Sequence, residues 1–159
     1  MNEIRNDIKN LKPSKSSRYH QGYIDVKSCK KIFPELKHEK IIYRSSYEKA
    51  FMIWLETCDN VKRWGSECIC IPYLYAVDQK MHHYYPDYFV EMVDGTCFVI
   101  EIKPSSQTIK PVNENCYAHK EYVKNVCKWK ATMEFCKSKG YKFKILTEKT
   151  IGKLKWSRS

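Results

Sequence analysis

Two carboxylates and an ammonium stand in a stretch that otherwise reads as a core hairpin. In "HHYYPDYFVEMVDGTCFVIEIKP", residues 82–104, the apolar runs Tyr84–Met92 and Cys97–Ile102 flank the turn-forming pair Asp94-Gly95. Asp87, Glu101 and Lys103 interrupt or end those runs. Charges rarely enter a protein interior unless they are paired or bind a metal. The spacing therefore asks what these three groups do together.

Side chains alternate faces along a strand, so Glu101 and Lys103 share one face, opposite to that of Ile100 and Ile102. A two-residue loop would set Asp87 across from Ile102, on the wrong face. A three-residue loop, Val93-Asp94-Gly95, pairs Met92 with Thr96 and sets Asp87 across from Glu101. Such loops want a type I turn followed by glycine in the left-handed region, and Gly95 fits that slot. The odd loop is the expected one.

Facing carboxylates repel, and one would take a proton unless a cation removed the conflict. Hard oxygen ligands suit Mg²⁺ or Mn²⁺, which keep waters and can grip a phosphate oxygen. Lys103 can orient a water and steady charge building on phosphorus, and the Ile102 carbonyl is a further candidate ligand. The competing reading is a solvent-facing strand with cross-strand ion pairs. The Pro86-Asp87 start, the apolar remainder and the basic chain favour a metal site.

Around this hairpin the elements are readable. Tyr47, Phe51, Trp54, Leu55 and Cys58 repeat at helical spacing after Ser45, and Asp59-Asn60 ends the helix. "VKRWGSE" and "CICIPYLYAV" read as strand, followed by the turn "DQK". "PSSQTIKPVNEN" is a polar loop. A second helix spans about Tyr117 to Ser138, with Tyr122, Val126, Trp129, Met133 and Cys136 on one face and Gly140 as its cap. "YKFKILT" is a last strand. Helix, strands, helix, strand make an α/β domain, a mixed sheet flanked by helices. Residues 1–40 read as a basic, partly ordered arm with a short helix near Val26–Phe33, residues 41–148 as the domain, and residues 149–159 as a basic tail.

The chain has 159 residues and a formal charge of +11. That size fits one domain with a real core, and the charge favours a polyanion such as nucleic acid through counterion release. No apolar run reaches the ~20 residues of a membrane span, and the first residues lack the apolar core of a secretory signal. A cytoplasmic location is expected. The eight cysteines form no CxxC pair. A zinc site from Cys68, Cys70, His82 and His83 matches no standard spacing, so free, mostly buried thiols are expected.

Pro86-Asp87 followed by Glu101-Ile102-Lys103 resembles the signature of the PD-(D/E)XK nuclease superfamily, with its restriction-endonuclease-like fold. The ordered blocks "IIYRSSYEKAFMIWLE", "IPY", "HHYYPDYFVE", "FVIEIKPSSQT" and "KWKATMEFCKSKGYKFKILTE" narrow the resemblance to the head-completion nucleases of T-even-type phages. Those are similar in turn to TnsA-type transposon-end endonucleases, which carry Gln where this chain has Glu101. The resemblance implies a Mg²⁺-dependent endonuclease on double-stranded DNA that acts late in capsid maturation. Glu48, Asp87 and Glu101 would hold metal, with Lys103 catalytic. It also implies portal or neck partners, a possible homodimer, and a place in the host cytoplasm or the virion. A TnsA-like transposon-end or junction-specific enzyme and a non-catalytic neck protein on the same fold are the alternatives.

The remaining residues carry two readings each. Ser45-x-x-Glu48 is also a capping box, in which Glu48 would bond back to the Ser45 amide. Glu56 reads as a solvated face residue and Glu67 as an outside candidate. Gln107 could touch the scissile phosphate. Lys124, Lys128 and Lys130 could track DNA or simply be solvated, and Tyr73, Tyr75, Tyr84, Tyr85 and Tyr88 could stack on bases or line half-exposed strands. His82 and His83 read as loop or strand-edge residues.

Overall fold

The computed structural model describes residues 21–37 and 40–154. Residues 1–20 of the expected arm and 155–159 of the tail lie outside them. The elements, in order, are β1 (Gly22–Ile24), two single turns of 3₁₀ helix (Val26–Ser28 and Pro34–Leu36), β2 (Ile41–Tyr43) and α1 (Ser46–Thr57). Strands β3 (Val61–Ser66), β4 (Ile71–Tyr75), β5 (Lys80–Tyr84), β6 (Tyr88–Met92) and β7 (Cys97–Ile102) follow. A 3₁₀ turn (Ser105–Thr108), α2 (Tyr117–Lys139), β8 (Lys142–Leu146) and α3 (Glu148–Ile151) complete the chain.

Four strands make the central sheet, in the order β3-β6-β7-β8. The first three are antiparallel and β8 joins β7 in parallel. A parallel neighbour needs a crossover, and α2 supplies it. The mixed sheet flanked by helices is therefore as expected. The stretch between Trp64 and Tyr84 is not: β4 and β5 leave the sheet and pair only with each other, across the turn 76–79. Tyr84 thus ends β5 rather than opening β6, and Tyr85-Pro86-Asp87 separates the two hairpins. Proline lacks the amide N–H that a continuing ladder would need.

The two faces of the sheet are packed by different partners. Tyr88 meets Phe51 of α1 edge-on at 5.1 Å and lies 6.1 Å from Trp64. Phe89, one residue on, points the other way and meets Phe33 at 5.8 Å and Tyr141 at 5.2 Å. Aromatic pairs at such distances contribute roughly 0.5–1.5 kcal/mol beyond their buried area.

Much of the expected arm is structural. Val26, Cys29, Ile32, Phe33 and Leu36 are buried, so a boundary at residue 40 cuts through the core. The segment also covers the outer edge of β3: the Phe33 amide donates to the Trp64 carbonyl at 3.0 Å and the Trp64 amide to the Lys31 carbonyl at 2.9 Å. A covered edge cannot recruit a foreign strand. Gly65 permits the approach, since a Cβ there would stand 2.6 Å from Leu36 Cδ1. Glu56 fastens the segment, accepting from the Lys30 and Lys31 amides at 2.7 and 3.1 Å and from the Trp64 indole at 2.8 Å. It is a clamp, not the solvated residue its helical position suggested.

Both helices begin and end where expected, but their buried stripes are shifted. In α1 Phe51, Met52 and Leu55 are buried while Tyr47 is exposed. In α2 the buried residues are Asn125, Thr132 and Cys136, whereas Val126 and Met133 are exposed. A helix lying against a small two-stranded sheet and a single edge strand buries a narrow stripe, and apolar residues beside it stay in water. Gly140 caps α2 in the left-handed region.

Candidate active site

The hairpin register puts the charged groups together. Glu91 pairs with Cys97, Val90 with Phe98, Phe89 with Val99 and Tyr88 with Ile100. The Met92 amide donates to the Thr96 carbonyl at 2.8 Å, and the Gly95 amide to the Met92 carbonyl at 3.0 Å. Gly95 has φ +88°. The three-residue loop is therefore the one formed, and one step beyond Tyr88 the ladder sets Asp87 across from Glu101. Asp87 lies just before the strand, and its Oδ2 accepts the Ile102 amide at 2.6 Å. The side chain has taken the place of a backbone acceptor in the ladder.

Glu101 is buried, with 3 % of its surface exposed. Lys103 Nζ lies 2.9 Å from its Oε1, and the Tyr84 hydroxyl donates to its Oε2. A carboxylate at this depth is held only because both oxygens have donors. Burial alone would push the Lys103 ammonium down, but the charges of Glu101 and Asp87 outweigh it and raise it. Lys103 is thus a firmly protonated cation. Asp87 is pushed well above the usual carboxylate range by burial and by the Glu101 charge, with Glu48 adding to the push. The Ile102 amide and Lys103 offset this only in part.

Glu48 sits on the first turn of α1. Ser45 Oγ accepts the Glu48 amide at 3.1 Å, as in a capping box. The return bond goes one residue further back than expected, with Glu48 Oε2 accepting the Arg44 amide at 2.8 Å. Burial raises the Glu48 carboxyl against the lowering pull of Arg44. Arg44 Nη1 pairs with Glu67 Oε1 at 2.9 Å. Glu67 has φ +47°, and its amide donates to the Asp87 carbonyl at 3.0 Å. Glu67 therefore belongs to the surroundings of Asp87 through its backbone, with its side chain committed to Arg44.

Asp87, Glu101 and Lys103 are thus brought together, and Glu48 joins them through the field rather than by contact. Among the described residues no three His, Cys, Asp or Glu side chains already surround one point at ligand spacing. The donor chemistry nevertheless fits a hard divalent cation. Glu101 is buried and Asp87 half-buried beside it, two carboxyls of like charge, and the conflict between them is recorded in Asp87 itself. The zinc arrangement does not form. His82 and His83 alternate along β5, His82 is bonded to Asp78 at 2.7 Å, and Cys68 and Cys70 lie in the loop before β4. None of the eight cysteines is in a disulfide, but only Cys29, Cys68 and Cys136 are buried. Burial, with Glu56 nearby, pushes the Cys29 thiol up to about 11, and burial alone does the same to Cys136.

An open cleft of about 290 Å³ leads to this group, lined by Ser45, Glu48, Ile102, Lys103, Gln107 and Glu148 among others. Gln107 comes from the 3₁₀ turn after β7, which Glu148 of α3 secures by accepting the Ser105 amide at 2.9 Å. Of the helix lysines, Lys124 and Lys128 share a face of α2. Lys124 Nζ lies 5.9 Å from the Tyr75 ring and Lys128 Nζ 5.2 Å from the Tyr84 ring. Lys130 is exposed on another side, beside Leu74 and Glu134. Tyr84 is the functional neighbour that sequence reasoning placed among possible stacking tyrosines. No spacing rule ties it to Glu101, because β5 reaches that carboxylate through a tertiary contact.

Residues 58–148 match the model of the TnsA-like endonuclease N-terminal domain. The chain is also 37% identical over 120 residues to the head completion nuclease of Enterobacteria phage T4, an alignment covering 69% of this chain and 80% of that protein.

Proposed function

The chain belongs to the TnsA-like endonuclease family, and from that premise we propose a divalent-metal-dependent endodeoxyribonuclease that serves phage head completion after DNA packaging. The observation that carries the reading is the register of β6 and β7, which sets Asp87 across from Glu101 with Lys103 further along the same strand face. The substrate is double-stranded DNA, in keeping with a formal charge of +11. Among the described residues no helix is long and apolar enough to cross a membrane.

Asp87 and Glu101 would hold the ion, Mg²⁺ or Mn²⁺, with Glu48 and the Ile102 carbonyl as further donors. A cation bound there supplies Lewis acidity toward a phosphodiester oxygen. Everything else falls to the chain. Lys103, kept protonated by Glu101 and Asp87, places a fixed positive charge beside the phosphorus, where negative charge grows in the transition state. Its hold on Glu101 also fixes that carboxylate's orientation. Gln107 and Ser45 line the cleft and offer neutral donors to the phosphate oxygens. Lys124 and Lys128, above the tyrosines of β4 and β5, meet the DNA backbone beyond the cut.

The capsid role rests on the similarity to the phage T4 protein. Portal or neck proteins would be the partners, and two copies acting together would supply one site for each strand. The test is nicking of supercoiled plasmid with Mg²⁺ or Mn²⁺, compared with Asp87→Asn. The reading expects nicking by the wild type and loss of it in the variant. Equal nicking by both would remove the site, and inertness of the wild type on plasmid, junction and single strands with either metal would leave a non-catalytic neck protein.

A further inference from the structure

A second hollow adjoins the catalytic cleft and shares Gln107 with it. It lies between the segment 106–111 and the first half of α2, and encloses about 410 Å³. That is within the range of ligand pockets. Its walls include Ile109, Pro111, Tyr117 and Tyr122, with Glu121 and Asn125 as the polar groups on the helix.

Asn125 is the informative residue. It is 95 % buried, at 5 % exposure, yet among the described residues its carboxamide makes no hydrogen bond, and it lines the hollow. Its oxygen and nitrogen are not among the fully enclosed, unpartnered side-chain atoms of the described residues, so they open onto the hollow and can bond a molecule that displaces its water. Because the carboxamide is neutral and offers donor and acceptor side by side, it suits a ligand edge with the same pair. The walls sharpen this. Tyr117, 77 % exposed, together with Tyr122, Ile109 and Pro111, presents flat and apolar surfaces to a planar ring. No lysine or arginine lines the hollow, while Glu121 does. A phosphate would be repelled there, and an exocyclic amino group welcomed.

We propose that this hollow is a nucleobase subsite for the strand being cut. It takes an amino-bearing base, adenine or cytosine, one or a few nucleotides from the scissile phosphate, and Asn125 reads the base edge. Adenine offers an amino donor beside a ring-nitrogen acceptor, the pattern a carboxamide matches with two bonds. The base must leave the stack to enter, which is easiest at a frayed end, a mismatch or a single-stranded stretch. Gln107 stands between the two sites and would touch the connecting backbone. The inference rests on the endonuclease reading and deepens it by giving the enzyme a local base preference.

The test is cleavage of a randomised DNA pool by the full chain with Mn²⁺, followed by sequencing of the cut ends. The expected result is one position, at a fixed offset from the cut, where adenine or cytosine is favoured by about tenfold. Asn125→Leu, close in volume and lacking the amide, should flatten that preference while general cutting persists. Asn125→Asp, which exchanges the donor for an acceptor, should change the preferred base. Melting curves identify any variant that fails to fold, in which case Glu121→Gln at the pocket rim replaces it and should weaken selection of amino-bearing bases. A wild type that cuts without base preference, or a folded Asn125→Leu with an unchanged profile, overturns the subsite and leaves the nuclease intact. A wild type that cuts nothing in the pool defeats the endonuclease reading itself.

Discussion

The β4–β5 and β6–β7 hairpins follow each other in the chain, and both are antiparallel, yet they serve the site by different means. In β6–β7 the chemistry is set by register: the loop Val93-Asp94-Gly95 fixes which residue faces Glu101, and a slip of one residue would turn every side chain over. In β4–β5 the chemistry is set by docking. The hairpin stands outside the central sheet, lies against α2, and delivers one hydroxyl, that of Tyr84, to Glu101. A backbone ladder places groups by counting, whereas a docked hairpin places them by packing. The first kind of placement fails abruptly and the second by degrees.

The largest expected effect falls on the registered hairpin. Lys103→Ala removes the fixed charge beside Glu101 and should lower the plasmid-nicking rate about a hundredfold to a thousandfold, with little change in DNA binding measured in Ca²⁺. Gly95→Val attacks the register instead of the charge. A β-branched residue resists the positive φ of 88° that the three-residue loop requires. A loop re-formed from Asp94 and residue 95 would set Asp87 across from Ile102, so the variant should lose nicking almost as completely while every catalytic residue remains in the chain. Retained nicking with a shifted register, read from backbone NMR contacts, would break the claim that register is what matters.

An intermediate effect is expected on the docked hairpin. Tyr84→Phe leaves Glu101 Oε2 without its donor. A buried acceptor left so costs about 1–3 kcal/mol, visible in denaturant unfolding, and nicking should fall about tenfold to a hundredfold because Glu101 is less firmly oriented. Tyr141→Phe, whose ring packs on Phe89 and Phe135, should leave nicking unchanged. If Tyr84→Phe abolished activity as fully as Lys103→Ala, the distinction between the hairpins would vanish.

The smallest effect lies at the far end of β6. Glu91 pairs with Lys62 at 2.9 Å and Arg63 at 2.6 Å. Burial acts against the shift, but the hydrogen bonds and charges of those two cations hold its carboxyl below the usual range. A group with a depressed folded pKa contributes stability at neutral pH that is lost as pH falls through that lower value. The loss should be no more than about 1 kcal/mol, since the pair is partly exposed. Wild type and Glu91→Gln should therefore converge in stability on acidification. Divergence would reverse the sign.

The same contrast explains what was legible in the sequence. Gly95, with its demand for a positive φ, made the loop length readable and through it the meeting of Asp87 with Glu101. Ser45 and Gly140 marked helix ends for equally local reasons. What escaped was tertiary. Nothing near Tyr84 announces Glu101, nothing in α1 announces that Glu56 will hold the amides of Lys30 and Lys31, and Phe33 reads as part of a polar arm until β3 needs its edge covered. The helix stripes were shifted because exposure depends on what lies opposite, which periodicity does not state. Glu48 was legible as both cap and ligand, since its place in the first turn serves either role.

The central claim is that Asp87 and Glu101 share a divalent cation, and Mn²⁺ titration followed by electron paramagnetic resonance, without DNA, tests it most directly. Asp87→Asn and Glu101→Gln should each weaken binding on the order of tenfold or more, and Lys103→Ala, which removes a competing cation, should retain or tighten it. Equal Mn²⁺ affinity in the wild type and both carboxylate variants would contradict the account.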